Sequence, residues 1–204
     1  MKLYYSPGAC SLSPHIALLE AGLPYDLVRV DLRAKKLENG DDFLKVNPKG
    51  QVPALALDDG KLITEGPVIV QMIADKAGKG LAPARDSAER YELLELLNFI
   101  TTELHKNLGP QFSPVLADDA KAFFKDRAMG KFKYLETRLA GRDYLMGKEF
   151  TVADGYLFTM VMWATDRLGF DFSGLPNLTA YKARVAARPK VKEAMQKEGL
   201  LKAA

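Results

Sequence analysis

The order of its local signals constrains this chain more than any single motif does. Asp58-Asp59-Gly60 separates two β-prone runs, Val52 to Leu57 and Lys61 to Thr64, and Asp-Gly between such runs is a strong hairpin signal. Upstream, Leu3-Tyr4-Tyr5 is a short β-rich run closed by the turn cluster Ser6-Pro7-Gly8. Ser13-Pro14 then reads as a helix start, with Ser as N-cap and Pro at the first helical position. Leu12, Ile16, Leu19 and Leu23 follow at helical spacing, and Gly22 suits the helix end. Tyr25 to Leu32 alternates as a second strand. After the hairpin, a helix over 66–77 carries Ile69, Met72 and Ile73 on one face.

The pattern is therefore β-α-β, a loose helical or loop segment, then β-β-α. Few small folds other than the thioredoxin-like one share that order, and the expected topology is βαβαββα over residues 1–78. Residues 78–83, Gly-Lys-Gly-Leu-Ala-Pro, read as a linker. Beyond it every pattern is helical. Leu93, Leu97, Ile100, Leu104 and Leu108 form an apolar stripe, and 118–139 supports a long helix. Thr151-Val152-Ala153-Asp154 is a capping-box variant preceded by Phe150 as a staple, and the helix it opens is apolar nearly all round. Pro176 and Pro189 open two more helices. The fold class is thus α/β plus all-α, with an all-helical domain over 84–204.

Composition excludes several functions. With 29 basic and 26 acidic residues the net charge is only +3, which does not suggest a nucleic-acid or membrane surface. The most apolar run, Tyr156 to Ala164, is half the roughly 18 residues of a membrane span. The first residues look like a strand, not a signal peptide. One cysteine allows no internal disulfide, so a reducing compartment, the cytoplasm, is expected. Two histidines and one cysteine make no zinc cluster, so no metal is expected. No Walker loop, dinucleotide fingerprint or nucleophile elbow is present.

Four places carry candidate chemistry. Cys10 follows a strand and precedes a helix, where the helix dipole and unpaired amides favour a thiolate. The run Cys10-Ser11-Leu12-Ser13 is also the C-x-x-S form of a thiol-redox motif; the bland alternative is a buried thiol acting as a small hydrophobe. Val52-Pro53 opens a strand, and in thioredoxin-like folds such a Pro is typically cis, with the preceding residue pairing to a peptide ligand like an added strand. Thr64-Glu65-Gly66 stands at a helix entry, a natural carboxylate site, with Glu65 able to meet an ammonium group. At 100° per residue Asn98, Thr102 and His105 share an arc of roughly 60° away from the leucine stripe, and Glu103 points in a third direction. Lys35 and Lys36 offer charge for a carboxylate, and His15 reads as structural or exposed.

The chain resembles the beta-class glutathione transferases of bacteria over essentially its whole length. The most specific pieces are Tyr4-Tyr5-Ser6-Pro7-Gly8-Ala9-Cys10-Ser11-Leu12, Val46-Asn47-Pro48-Lys49-Gly50-Gln51-Val52-Pro53-Ala54-Leu55, Leu62-Ile63-Thr64-Glu65-Gly66 and Thr102-Glu103-Leu104-His105-Lys106, with Phe150-Thr151-Val152-Ala153-Asp154 matching the helical domain. The resemblance implies that Cys10 lies against the sulfur of glutathione. It implies that Val52, before a cis Pro53, binds the cysteinyl backbone, and that Glu65 and Gly66 hold the γ-glutamyl end. Lys35 would meet the glycyl carboxylate. Asn98, Thr102 and His105 would complete the pocket, and Glu103 would reach the partner's site in a homodimer. One departure is Gly66, where many other classes carry Ser and activate the thiol with Tyr or Ser; Tyr5 and Ser11 are in the neighbourhood.

The function implied is conjugation, in which bound glutathione thiolate attacks hydrophobic electrophiles for detoxification, with Cys10 and His105 as catalytic residues and glutathione as co-substrate. A wall including Tyr5 and Phe112 would take the second substrate. Two alternatives stand beside it: glutathione-dependent thiol-disulfide exchange or reductive dehalogenation through covalent Cys10, and non-catalytic carriage of apolar ligands.

Overall fold

The computed structural model describes residues 1–78 and 80–202. Its contacts divide the chain into two compact units: Met1–Ala82 together with the segment from Arg188 onward, and Pro83–Ala187. Lys79, within the expected linker, lies outside the described residues.

The first unit is built on five strands: β1 (Lys2–Tyr5), β2 (Asp26–Asp31), β3 (Lys36–Leu37), β4 (Ala54–Ala56) and β5 (Leu62–Thr64). They lie in the order β3-β2-β1-β4-β5. β1 and β2 are parallel, joined by helix α1 (Leu12–Ala21), while β4 and β5 form the antiparallel hairpin expected around Asp-Gly. Helix α2 (Gly66–Ala77) follows. The thioredoxin-like order is as expected, with one change in the middle. The segment after β2 forms the two-residue β3 and a 3₁₀ turn, Phe43–Lys45, not a full helix. Phe43 earns that turn its place: its ring packs 5.8 Å from Tyr4, in a cluster with Val30, Val52 and Ala54.

α1 starts two residues earlier than expected, with Ser11 rather than Ser13 in the N-cap position. Pro14 is therefore the third helical residue, still within the first turn, where no amide has an intrahelical acceptor. Gly22 ends the helix in the left-handed conformation, and its amide returns to the Leu18 and Leu19 carbonyls. Every α1 residue except Glu20 is buried, because the helix packs on α2 and also on α8 (Pro189–Lys197). By its contacts the last helix groups with the first unit. Side chains explain it: Val191 and Ala194 are fully buried, and Arg188 grips Glu20 through two parallel bonds of 2.7 and 2.9 Å.

The second unit holds α3 (Ala88–Phe99), the single turn α4 (Lys106–Leu108), α5 (Asp118–Leu139), α6 (Val152–Met162) and α7 (Pro176–Ala187). The predicted leucine stripe is buried throughout, and α6 is buried at all eleven positions. Asp154 anchors the start of α6. Its carboxylate accepts from the Thr151 and Leu145 amides at 2.8 and 2.9 Å and from the Thr151 hydroxyl at 3.0 Å, with the Tyr181 hydroxyl 3.1 Å away. Three segments depart from α geometry: π-helical turns at Ile100–His105, between α3 and α4, and at Trp163–Arg167, after α6, and a 3₁₀ turn at Gly109–Phe112. Among the described residues no helix is long and apolar enough to cross a membrane.

Candidate active site

In the first unit the predicted ligand residues converge on the short run from Gly50 to Pro53. Asn47 shapes this run, its buried side chain donating to the Gln51 carbonyl at 2.7 Å and accepting from the Lys49 amide at 3.2 Å. Lys35 donates from its ammonium to the Gly50 carbonyl at 2.8 Å. Cys10 Sγ lies 3.2 Å from the Val52 carbonyl oxygen. The Val52–Pro53 peptide bond is cis, as expected. A β-carbon on Gly66 would stand 3.8 Å from Pro53 Cγ, so Gly66 lies against that ring with room for a small side chain. Lys36 is exposed in β3.

Two of these residues are held in the left-handed region. Lys35 (φ 56°) and Glu65 (φ 68°, ψ 112°) are the non-glycine residues with positive φ among the described residues. Such conformations cost on the order of 1–3 kcal/mol each and cluster where a ligand is gripped. Glu65 immediately precedes α2, and its carboxylate sits 2.6 Å from the Lys49 ammonium, which also reaches the Thr64 hydroxyl at 3.0 Å. Lys49 escaped the sequence reading, since a lysine in a loop carries no pattern; its approach to Glu65 is visible only in space.

Cys10 differs from its expected character. Two backbone amides, those of Cys10 and Ser11, do favour the thiolate, but burial outweighs them and pushes the thiol up to about 12, with Glu198 and Glu65 adding to the rise. Cys10 is thus a neutral thiol donating to Val52. Ser11 is fully buried and committed: its hydroxyl bridges the amide and carbonyl of Ser6 at 3.2 and 3.3 Å. Tyr5 packs its ring against that of His15, and burial pushes its hydroxyl up. His15 is structural, as one of its two readings had it: it is fully buried, with Nδ1 2.8 Å from Glu198 and Nε2 3.0 Å from the Tyr25 hydroxyl.

In the second unit, His105 closes the first π turn. Its Nδ1 lies 2.7 Å from the Tyr156 hydroxyl, and its ring stands edge-on to Trp163 at 5.1 Å. Trp163 opens the other π turn and stands edge-on to Phe112, also at 5.1 Å. Phe112 is 44% exposed, so this aromatic row ends in an accessible apolar surface. Burial, with a smaller contribution from Lys106, lowers His105 to about 4, and the imidazole is neutral. Asn98 and Thr102 remain exposed one turn apart, joined by the Thr102 hydroxyl on the Asn98 carbonyl at 3.1 Å. His105 is half-buried against Tyr156 and Trp163, whereas Asn98 and Thr102 are exposed. Glu103 pairs with Lys131 of its own chain at 2.8 Å, and that ammonium lowers its carboxyl. Sequence alone gave no sign of either π turn, nor of Tyr156 and Trp163 as neighbours of His105.

Comparison with known proteins accounts for both units. A family model for the glutathione S-transferase N-terminal domain matches residues 8–76, and one for the C-terminal domain matches residues 103–198. Glutathione S-transferase GstA of Escherichia coli O157:H7 is 46% identical over 98% of this chain and 100% of its own length. The structure is similar to that of a sphingomonad glutathione S-transferase complexed with glutathione, with a TM-score of 0.94 and 48% identity over 98% of this chain and all of that one. It is equally similar to a bacterial beta-class glutathione S-transferase of Sphingomonas chungbukensis, with a TM-score of 0.95 and 47% identity over the same shares. With a matching thiol-bearing fold, a helical domain and full-length relatives at this identity, the chain belongs to the glutathione S-transferase family.

Proposed function

We propose that this protein conjugates glutathione to apolar electrophiles, using the thiolate of glutathione itself as nucleophile. The observation that carries the reading is the convergence on Gly50 to Pro53: Lys35, Cys10 and Gly66 each touch that run, and the strained Glu65 directly precedes Gly66. An extended tripeptide fits such a run as an added strand. In this reading the Val52 backbone pairs with the cysteinyl residue beside Pro53. Lys35 takes the glycyl carboxylate, Glu65 the γ-glutamyl ammonium, and the first amides of α2 at Gly66 the adjoining carboxylate. Asn98, Thr102 and His105 supply contacts from the helical unit, and Glu103 reaches the partner's site in a homodimer.

The two neutral groups then act as donors. Cys10 S–H turns from the Val52 carbonyl to the glutathione sulfur, and His105 offers an N–H to the same charge. Donors held ready for a developing anion lower the thiol pKa of the bound tripeptide, each unit corresponding to about 1.4 kcal/mol. The thiolate attacks the electrophilic carbon, a C–S bond forms, and the leaving group departs with the bonding pair. The Phe112–Trp163 row offers the apolar surface for the electrophile. A homodimer in the cytoplasm completes the reading; exposed Tyr91 and Leu94 on α3 supply apolar surface for a second copy.

The redox reading needs Cys10 as a thiolate, and burial, which pushes that thiol up to about 12, speaks against it. Glutathione-dependent conjugation of chlorodinitrobenzene by the purified protein tests the proposal: saturable turnover supports it, and glutathione-binding protein with no turnover on a panel of electrophiles contradicts it.

A further inference from the structure

The last helix sends one residue back to the turn that carries Cys10. Glu198 closes α8, and its side chain is fully buried. One oxygen meets His15 Nδ1 at 2.8 Å, and the other accepts from the Gly8 amide at 2.8 Å, across 190 positions of sequence. Gly8 sits in the left-handed conformation (φ 65°) within the turn that runs from Ser6 to Ser11. Ser11 clamps the two ends of that turn through Ser6, and the Ala9 amide closes it on the Ser6 carbonyl at 3.0 Å. His15 in turn is braced by Tyr25 and by the rings of Tyr5 and Tyr25. A buried carboxylate is costly unless its oxygens are matched by donors, and here the donors are the Cys10 turn and the helix that follows it.

We propose that Glu198 is a positioning residue for Cys10: it holds the Ser6–Ser11 turn through the Gly8 amide and sets the reactivity of the thiol that the turn presents. It does not touch substrate. Its negative charge also adds, as a lesser cause behind burial, to the rise of the Cys10 thiol. The proposal deepens the conjugation reading where glutathione is concerned, but its first readout needs no glutathione.

Cys10 is the single cysteine of the chain, so alkylation by iodoacetamide at neutral pH reports on it alone. Glu198→Gln keeps an acceptor for the Gly8 amide while removing the charge, and its amide NH2 can donate to His15 Nδ1 once the ring proton sits on Nε2. The expected rate of alkylation is about threefold above wild type, as the thiolate fraction rises, with KM for glutathione close to wild type. Glu198→Ala removes the Gly8 acceptor as well, and KM for glutathione is expected to rise about fivefold with kcat little changed, the loss expected for one hydrogen bond that orders a binding turn. Circular dichroism and thermal melting establish that each variant is folded. An alkylation rate in folded Glu198→Gln equal to wild type overturns the proposal, and so does an unchanged glutathione KM in folded Glu198→Ala. Should the alanine variant fail to fold, the glutamine variant decides by alkylation alone. A protein without transferase activity leaves the alkylation result intact, so failure of the conjugation reading is distinguishable from failure of this one.

Discussion

Cys10 and His105 belong to different units of the molecule, yet burial does the same thing to both. It raises the thiol to about 12 and lowers the imidazole to about 4, leaving each uncharged at neutral pH. Their surroundings differ in kind. Cys10 donates to a backbone carbonyl at the head of a strand, in a turn pinned by Ser11 and Glu198. His105 is set in a row of aromatic rings between two π turns, with one nitrogen fixed by a tyrosine hydroxyl. Neither group is charged, so in the proposed reaction both serve as donors to an anion that arrives with the substrate. A thiol is the weaker donor, which makes His105 the larger contributor.

That inequality can be broken directly. His105→Ala is expected to lower kcat/KM for conjugation about a hundredfold, the scale of removing one aligned donor to a reacting anion; an effect no larger than that of losing Cys10 would erase the distinction between the two. Tyr156→Phe leaves the ring in place but removes the hydroxyl from Nδ1, and a fall in kcat of about tenfold is expected from loss of that orienting bond. Steady-state kinetics of the folded variant would show it as a kcat effect, whereas a KM effect alone would assign Tyr156 to packing.

The acid side of the stability curve sharpens the comparison within the helical unit. The unfolded chain protonates His105 below 6.5, while the folded chain resists until about 4. Stability from this residue therefore falls as pH drops through that window. Asp154 has the opposite sign: burial raises it from 3.8 to about 6, so the folded chain holds its proton longer and stability falls as pH rises through that range. His105→Gln removes only the first contribution. The melting-temperature difference between wild type and His105→Gln should shift in favour of wild type from pH 4 to 6.5 and then level off. A difference independent of pH would contradict the neutral imidazole.

The smallest expected effect lies at Lys49. Its ammonium rests on Glu65, the group proposed to receive the ammonium of glutathione. Both side chains are largely exposed, and exposed pairs contribute little, so Lys49→Met should lower KM for glutathione by only about twofold. A rise in KM would show instead that Lys49 helps to hold the ligand.

The first unit was legible because its signals are local: Asp-Gly at the hairpin, Gly22 at a helix end, and an alternating strand between them. The capping residues of α6 were legible for the same reason. Sequence patterns were silent where the structure depends on long reach or small backbone shifts. The π turns carry no composition of their own, yet they carry His105 and Trp163. The Glu198–His15 pair spans 183 positions; its one visible trace was a histidine in a largely apolar helix. Cys10 stands between a strand and a helix as read, but burial, which spacing does not show, outweighs the backbone amides that favour its thiolate.

The most direct test is conjugation of chlorodinitrobenzene with glutathione by wild type and Cys10→Ala. A neutral Cys10 that only donates a weak hydrogen bond is worth about 1 kcal/mol, so the variant should keep at least about a tenth of the wild-type kcat/KM. Loss of activity to the uncatalysed rate in a folded Cys10→Ala protein would contradict the assignment and make the enzyme's own sulfur essential to the reaction.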